Sequence, residues 1–366
     1  MYELLTDLNL LYDAFRKSIK GVDWKCSIQC YEANVLVELM KIRKSLIDGT
    51  YKQKAFFEFD INERGKHRHI KSLHISDRVL QRCLCDNILI PLLYKYLIYD
   101  NGASVKDKGI EFSRNRLIAH LQKYYRKHGN KGYILLVDFS KFFDSIPHDK
   151  LMDLLKERID DKRVLALINY LIGTFDEEHI KSLGIGSQIS QIFGIYYPTR
   201  LDNYIKIVKG CKYYGRYMDD FYIIHEDKKY LQSLLIEIKK IADDMGLTIN
   251  AHKTQICRID KGFIFLKTYY FVTDTGKIVR KPCKKNVTRE RRKLKKLKVK
   301  MDDGATDFED IFQSYKSWRG SMQRYNSYHI IQNMDRLFGE LYGEQIYAER
   351  KSLKSKRREK NLGRIF

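Results

Sequence analysis

The sequence predicts an α+β protein of two or three lobes, and three observations carry that prediction. At 366 residues the chain is too long for one ordinary core. Its two flanks show apolar residues at helical spacing, Leu4, Leu5, Leu8, Leu11, Tyr12 and Phe15 near the start and Leu294 and Leu297 towards the end. Between them, short aliphatic and aromatic runs at 133–138 and 211–224 read as strands separated by helical stretches.

Composition narrows the class. The chain is 44% hydrophobic and 13% aromatic with four prolines, which excludes a disordered polymer. The formal net charge of +23 lies far beyond the magnitude of about 2–8 that solubility asks of a small domain. It favours a polyanionic partner, with nucleic acid first and an anionic membrane surface second. Cysteines 26, 30, 83, 85, 211, 257 and 283 are odd in number and contain no Cys-x-x-Cys pair, which fits a reduced compartment. The first residues are acidic where a signal peptide is basic, and no apolar run approaches 18 residues. A cytoplasmic protein with no membrane partner is expected.

The elements follow in order. Helices fill residues 1–50, the second carrying Val35, Leu36, Leu39, Ile42 and Leu46 and closing at Asp48-Gly49. Residues 51–60 and 67–73 read as strands around the turn 62–65. An apolar helix spans 76–99, with Ser76-Asp77 as its N-cap. A basic helix follows at about 110–127. The run 133–138 is a buried strand ending in Asp138, and helices fill 148–173. Residues 184–191 form a small-residue loop opening a helix to about 209. Asp219-Asp220 lies at the tip of a hairpin. A helix at 228–245 ends at Gly246, a strand begins at 247–250, and Phe263 to Thr273 is one aromatic strand. From 284 to 300, ten of seventeen residues are Lys or Arg against one Glu290.

An Asp-Asp pair alone reads as a solvated turn. Here a strand ending in Asp138, a helical excursion and an Asp-Asp hairpin describe β-α-β, an order that can bring three carboxylates to one sheet edge. Carboxylates suit hard divalent cations such as Mg²⁺. Two such ions about 4 Å apart can activate an attacking hydroxyl and hold a leaving pyrophosphate. Phosphoryl transfer asks mainly for positioning and charge neutralisation. Asp144 is the alternative third carboxylate.

Five motifs now stand in order: Val137-Asp138-Phe139-Ser140-Lys141-Phe142-Phe143-Asp144, Gly186-Ser187-Gln188-Ile189-Ser190-Gln191, Tyr217-Met218-Asp219-Asp220, Asn250-Ala251-His252-Lys253-Thr254 and Phe265-Leu266-Lys267. Together they resemble a bacterial reverse transcriptase of the group II intron-like lineage, over about residues 55–345. The resemblance implies a right-hand polymerase: an N-terminal helical extension and fingers at 1–132, a ferredoxin-like palm at 133–279 with a helical insertion at about 148–182, a helical thumb at 280–345 and a basic tail at 346–366. The Gly-x-x-x-Ser-Gln form of the second motif is similar to diversity-generating retroelement and antiviral-defence enzymes and departs from intron-encoded ones.

The resemblance also implies roles. Asp138, Asp219 and Asp220 would hold two Mg²⁺ ions, with Mn²⁺ as a substitute, and Lys253 would act as general acid. Lys66, Arg68, Phe139, Phe143, Gln188 and Gln191 would contact the nucleotide, Phe143 by crowding a 2′-hydroxyl. Gly186, Ser190, Lys267, Arg291, Arg292, Lys295 and Lys296 would contact nucleic acid. The implied partners are an RNA template, a primer–cDNA duplex, dNTPs, a cognate structured RNA, and an accessory protein or oligomer. The implied activity is RNA-directed DNA synthesis. A defence polymerase making repetitive, untemplated or protein-primed DNA, and a catalytically inert RNA-binding protein, are the alternatives. No RNase H or endonuclease domain is expected after the thumb.

Overall fold

The computed structural model describes the chain except residues 64, 65, 177, 179 and 363–366 and the side chains of 63, 66, 68 and 348–362. Its strands are β1 (Phe57–Glu63), β2 (Lys66–Ser72), β3 (Tyr133–Ser140), β4 (Tyr214–Tyr217), β5 (Asp220–His225), β6 (Thr248–Ile249), β7 (Gln255–Arg258), β8 (Phe263–Phe265), β9 (Thr268–Val272) and β10 (Ile278–Pro282). The chain forms two compact units, residues 1–128 with 132–257, and residues 129–131 with 258–366.

In the first unit a five-stranded sheet runs β4-β5-β3-β6, with β7 also on β3. Ile134, Leu135, Leu136 and Val137 of β3 are all buried. Burying each such side chain contributes about 1.5–3 kcal/mol, which is why this aliphatic run takes the sheet's centre. The topology differs from a plain β-α-β. β3 pairs with the return strand β5, antiparallel, and that register sets Asp138 opposite Asp220. Tyr217 pairs with Asp220, so Met218 and Asp219 are the two tip residues of the β4–β5 hairpin.

Helix Gln188–Tyr196 is almost wholly buried, and Ser187 caps it by accepting the Ser190 N–H. Pro198 separates it from helix Thr199–Asn203, so the single helix expected to about 209 is interrupted. The helix from Ile75 is capped by His74 rather than by Ser76-Asp77. Asp77 is instead turned inward, accepting the Tyr51 hydroxyl at 2.8 Å and the Lys54 N–H at 3.1 Å.

The second unit holds a separate antiparallel sheet, β10-β9-β8. The stretch expected as one aromatic strand folds into two, because Leu266 and Lys267 adopt φ of +46° and +60°. Left-handed residues at both central positions match the twist of a tight hairpin. Strands β8–β10 bond to one another and group with the C-terminal helices, so the two compact units divide after Cys257. Helices Lys284–Asp302, Phe308–Met322 and Tyr328–Leu362 enclose a core of Leu294, Ile311, Tyr315, Met334, Phe338 and Tyr342. The stretch read as a separate tail continues the last helix to Leu362, beyond a kink at Tyr342.

Candidate active site

Strand alternation decides which residues of the first motif can reach a substrate. Asp138 and Phe139 project to opposite faces. Phe139 is 2% exposed, with its ring against Phe142 and Phe221 in the core. Its ring therefore offers a nucleotide no side-chain contact, which corrects the sequence expectation for that side chain. Asp138, itself 6% exposed, meets a polar environment. Lys253 Nζ donates to both its oxygens, at 2.6 and 2.8 Å, and Asn250 Nδ2 to one, at 3.3 Å. Asn250 also donates its backbone N–H to the Asp138 carbonyl at 2.8 Å. The Lys253 and Thr254 N–H groups then return to the Asn250 carbonyl, a tight turn that delivers Lys253 to the strand end.

The hairpin brings the other two carboxylates. Burial, then the charges of Asp219 and Asp138, push the Asp220 carboxyl up to about 8, and Lys253 offsets part of this. Burial alone would depress the Lys253 ammonium. The Asp138 carboxylate outweighs that and holds it above its usual value. The cluster thus sets three carboxyl groups beside one ammonium, and its oxygen donors are of the class that Mg²⁺ prefers. Among the described residues no three carboxylate, imidazole or thiol groups stand together in an arrangement that could hold a metal. Lys253 occupies both oxygens of Asp138 instead. The donor chemistry fits a divalent cation, provided that Lys253 leaves Asp138.

Phe143 is half-buried. A Cβ built on Gly194 would lie 2.9 Å from its ring and 3.2 Å from the Met218 sulfur. The first motif, the buried helix and the hairpin tip therefore meet at Gly194. A glycine inside an apolar helical run is the sequence signal for such a close approach, and it was missed.

The Gly186–Gln191 loop divides. Gly186 is exposed at φ +126°, and an added Cβ would sit 3.1 Å from the Lys71 carbonyl. Gln188 donates to Asp86 at 3.2 Å, and Gln191 accepts from Ser104 at 3.2 Å. Both line a cavity of about 1100 Å³ whose walls include Lys17, Arg78, Arg82 and Lys106. Ser190 is 1% exposed and donates its hydroxyl to the Leu183 carbonyl. It serves the helix start rather than nucleic acid, a second correction.

Lys66 and Arg68 lie on β2, and their side chains fall outside the described residues. Lys267 is exposed at the β8–β9 turn of the second unit. Arg291, Arg292, Lys295 and Lys296 are exposed on helix Lys284–Asp302. The same helix turns its Glu290 inward, where burial raises that carboxyl. No helix among the described residues is long and apolar enough to cross a membrane.

Residues 52–289 match the family described as reverse transcriptase (RNA-dependent DNA polymerase). The chain is similar to the putative COX1/OXI3 intron 2 protein of Saccharomyces cerevisiae, 35% identical over 118 residues, which is 30% of this chain and 14% of that protein. It is also similar to protein YkfC of Escherichia coli, 24% identical over 284 residues, 64% of this chain and 71% of that one. Among solved structures, a telomerase from Candida albicans shares the fold at 14% identity with a TM-score of 0.52, over 83% of this chain and 55% of that chain. With the match covering well over half its length, the chain belongs to the reverse transcriptase family and has that family's α+β right-hand polymerase fold.

Proposed function

We propose that the protein is an RNA-directed DNA polymerase of the group II intron-like bacterial lineage that copies RNA into cDNA by two-metal nucleotidyl transfer. The observation that carries this reading is the register pairing of Asp138 with Asp220, beside Asp219 at the hairpin tip and Lys253 on Asp138. Asp138, Asp219 and Asp220 would hold the divalent ions. Bound there, such ions lower the pKa of the primer hydroxyl and neutralise the leaving pyrophosphate.

The chain's own residues do the rest. Lys253 Nζ, released from Asp138, carries the proton for the leaving oxygen. Phe143 stacks below the sugar and crowds a 2′-hydroxyl. Gln188 and Gln191 present amides to template or nucleotide, and Lys66 and Arg68 serve the triphosphate. Gly186 lets the loop backbone approach the base pair. Lys267 and the exposed Arg291, Arg292, Lys295 and Lys296 bind backbone phosphates without reading bases. The fingers, palm and thumb take the ranges 1–132, 133–279 and 280–345. The protein acts in the cytoplasm with a cognate structured RNA and an accessory protein or a second copy. The Gly-x-x-x-Ser-Gln form of residues 186–191 favours a retroelement or phage-defence role over intron splicing.

Primer extension with labelled dNTPs on an RNA template tests the reading. Product that requires both the template and Asp219 supports it. Product that forms without template points to a defence polymerase with untemplated output. No incorporation with Mg²⁺ or Mn²⁺ leaves an inert RNA-binding protein on a polymerase fold.

A further inference from the structure

A fully buried ion pair lies beneath the hairpin that carries Asp219 and Asp220. Arg216 on β4 and Asp202 on helix Thr199–Asn203 are both 0% exposed at the side chain. The guanidinium donates from Nε to both Asp202 oxygens, at 2.8 and 3.1 Å, and from Nη2 to Oδ2 at 2.7 Å. Nη2 also donates to the Ile195 carbonyl at 2.7 Å, and Nη1 to the Met218 carbonyl at 3.0 Å. Asp202 accepts the Tyr214 hydroxyl as well.

Such a pair is a costly choice for stability alone. Desolvating two ions offsets most of their attraction, and well-packed apolar residues often do as well. The geometry gives the pair a second task. Met218 adopts φ +57°, a conformation uncommon for a residue with a side chain. Left-handed non-glycine residues persist where surrounding contacts over-determine them. Here the Met218 carbonyl is tied to Arg216, and its side chain lies beside Gly194. The same guanidinium holds the Ile195 carbonyl, so one side chain couples the tip to the helix carrying Gln188 and Gln191. The Arg216 backbone is fixed too, its N–H bonded to the Asp100 carbonyl and its carbonyl to the Gly102 N–H.

We infer that Arg216, locked by Asp202, is a positioning residue that fixes the Met218–Asp219 tip and thereby sets where the Asp219 and Asp220 carboxylates stand. Lysine cannot replace it, because one ammonium cannot reach Asp202, Ile195 and Met218 with the rigid fork of a guanidinium. The inference rests on the proposed use of those carboxylates as cation ligands.

The test is direct Mn²⁺ titration, by calorimetry or paramagnetic resonance, of wild type, Arg216→Lys and Tyr214→Phe. Tyr214→Phe removes only the hydroxyl on Asp202, so it probes the lock even if Arg216→Lys fails to fold. Arg319→Lys, which removes the forked guanidinium contact with Asp335 in the other unit, is the control for general destabilisation. Outer partners of metal ligands are typically worth about 10- to 100-fold in affinity. Arg216→Lys is expected to weaken Mn²⁺ binding by about that factor, and Tyr214→Phe by less. Nucleotide incorporation should lose kcat with little change in KM. Mn²⁺ affinity in both folded variants equal to that of Arg319→Lys overturns the inference. Tight Mn²⁺ binding that depends on Arg216, in a protein that incorporates no nucleotide, would sink the polymerase reading while leaving Arg216 its role.

Discussion

The ammonium of Lys253 bridges both carboxylate oxygens of Asp138, at 2.6 and 2.8 Å. Its side chain is half-exposed, so the pair gains little from a low dielectric and contributes at most about 1 kcal/mol to stability. Its consequence is chemical. Lys253 sits against the carboxylate cluster, and in the proposed reaction it is the group that would protonate the leaving oxygen. Lys253→Ala is expected to lower single-turnover incorporation by about 10²- to 10³-fold with dNTP affinity nearly unchanged. Rapid-quench kinetics on a primed RNA template measure this. A loss in affinity alone would show that Lys253 binds nucleotide rather than moving a proton.

Phe143 lies beside Gly194, and its proposed place under the nucleotide sugar predicts sugar selection. Phe143→Ala opens space where a ribose hydroxyl would sit and should raise rNTP use relative to dNTP by roughly 10- to 100-fold. Gly194→Ala places a methyl 2.9 Å from the Phe143 ring and must shift it or the Met218 sulfur. Competition between matched rNTP and dNTP reads both variants. Unchanged selectivity in Phe143→Ala would instead favour an RNA-directed RNA polymerase.

Helix Lys284–Asp302 exposes Arg291, Arg292, Lys295 and Lys296 while its Glu290 is buried. Replacing the four by Gln should weaken binding to an RNA–DNA duplex about equally for all sequences. It should also flatten the slope of log K against log salt by about 3–4. Filter binding between low and physiological salt checks both. A sequence-dependent loss would contradict phosphate contact.

His120 supplies a pH signature of the fold. It is 3% exposed, and its Nδ1 lies 2.9 Å from the Tyr222 hydroxyl on β5. Burial pushes the imidazole down to about 4, against the opposing pull of Asp100 3.6 Å away. The unfolded chain takes up this proton near 6.5, the folded chain only near 4. Between those values the unfolded state binds more protons, so stability falls as pH falls, by up to about 3 kcal/mol. Urea unfolding from pH 7 to pH 4.5 should show this loss. His120→Gln should flatten it, and an unchanged slope in that variant would assign it elsewhere.

Much of the fold was legible because its signals are local. The apolar periodicity of 1–50 forms helices, and the aliphatic run before Asp138 forms the central strand. Asp219 sits at a hairpin tip, as its aromatic flanks predicted. The misses have identifiable causes. Leu266 and Lys267 turn the chain without a glycine to announce it. Ser190 and Phe139 have residue types suited to ligand contact, yet a neighbouring carbonyl and a packed core claim them. Arg216, a charge between strand-forming residues, was the one available hint of a buried ion pair.

The amino-acid sequence by itself determined which chemical groups the protein has and their order, because side-chain type and short-range periodicity are written along the chain. Tertiary structure alone decided how they meet. The antiparallel register of β3 on β5 sets Asp138 opposite Asp220, and the turn at Asn250 lays Lys253 on Asp138. Arg216 closes on Asp202 where both side chains are fully buried, and from there it reaches the Met218 carbonyl. These relations depend on register and burial, which arise between segments far apart in sequence.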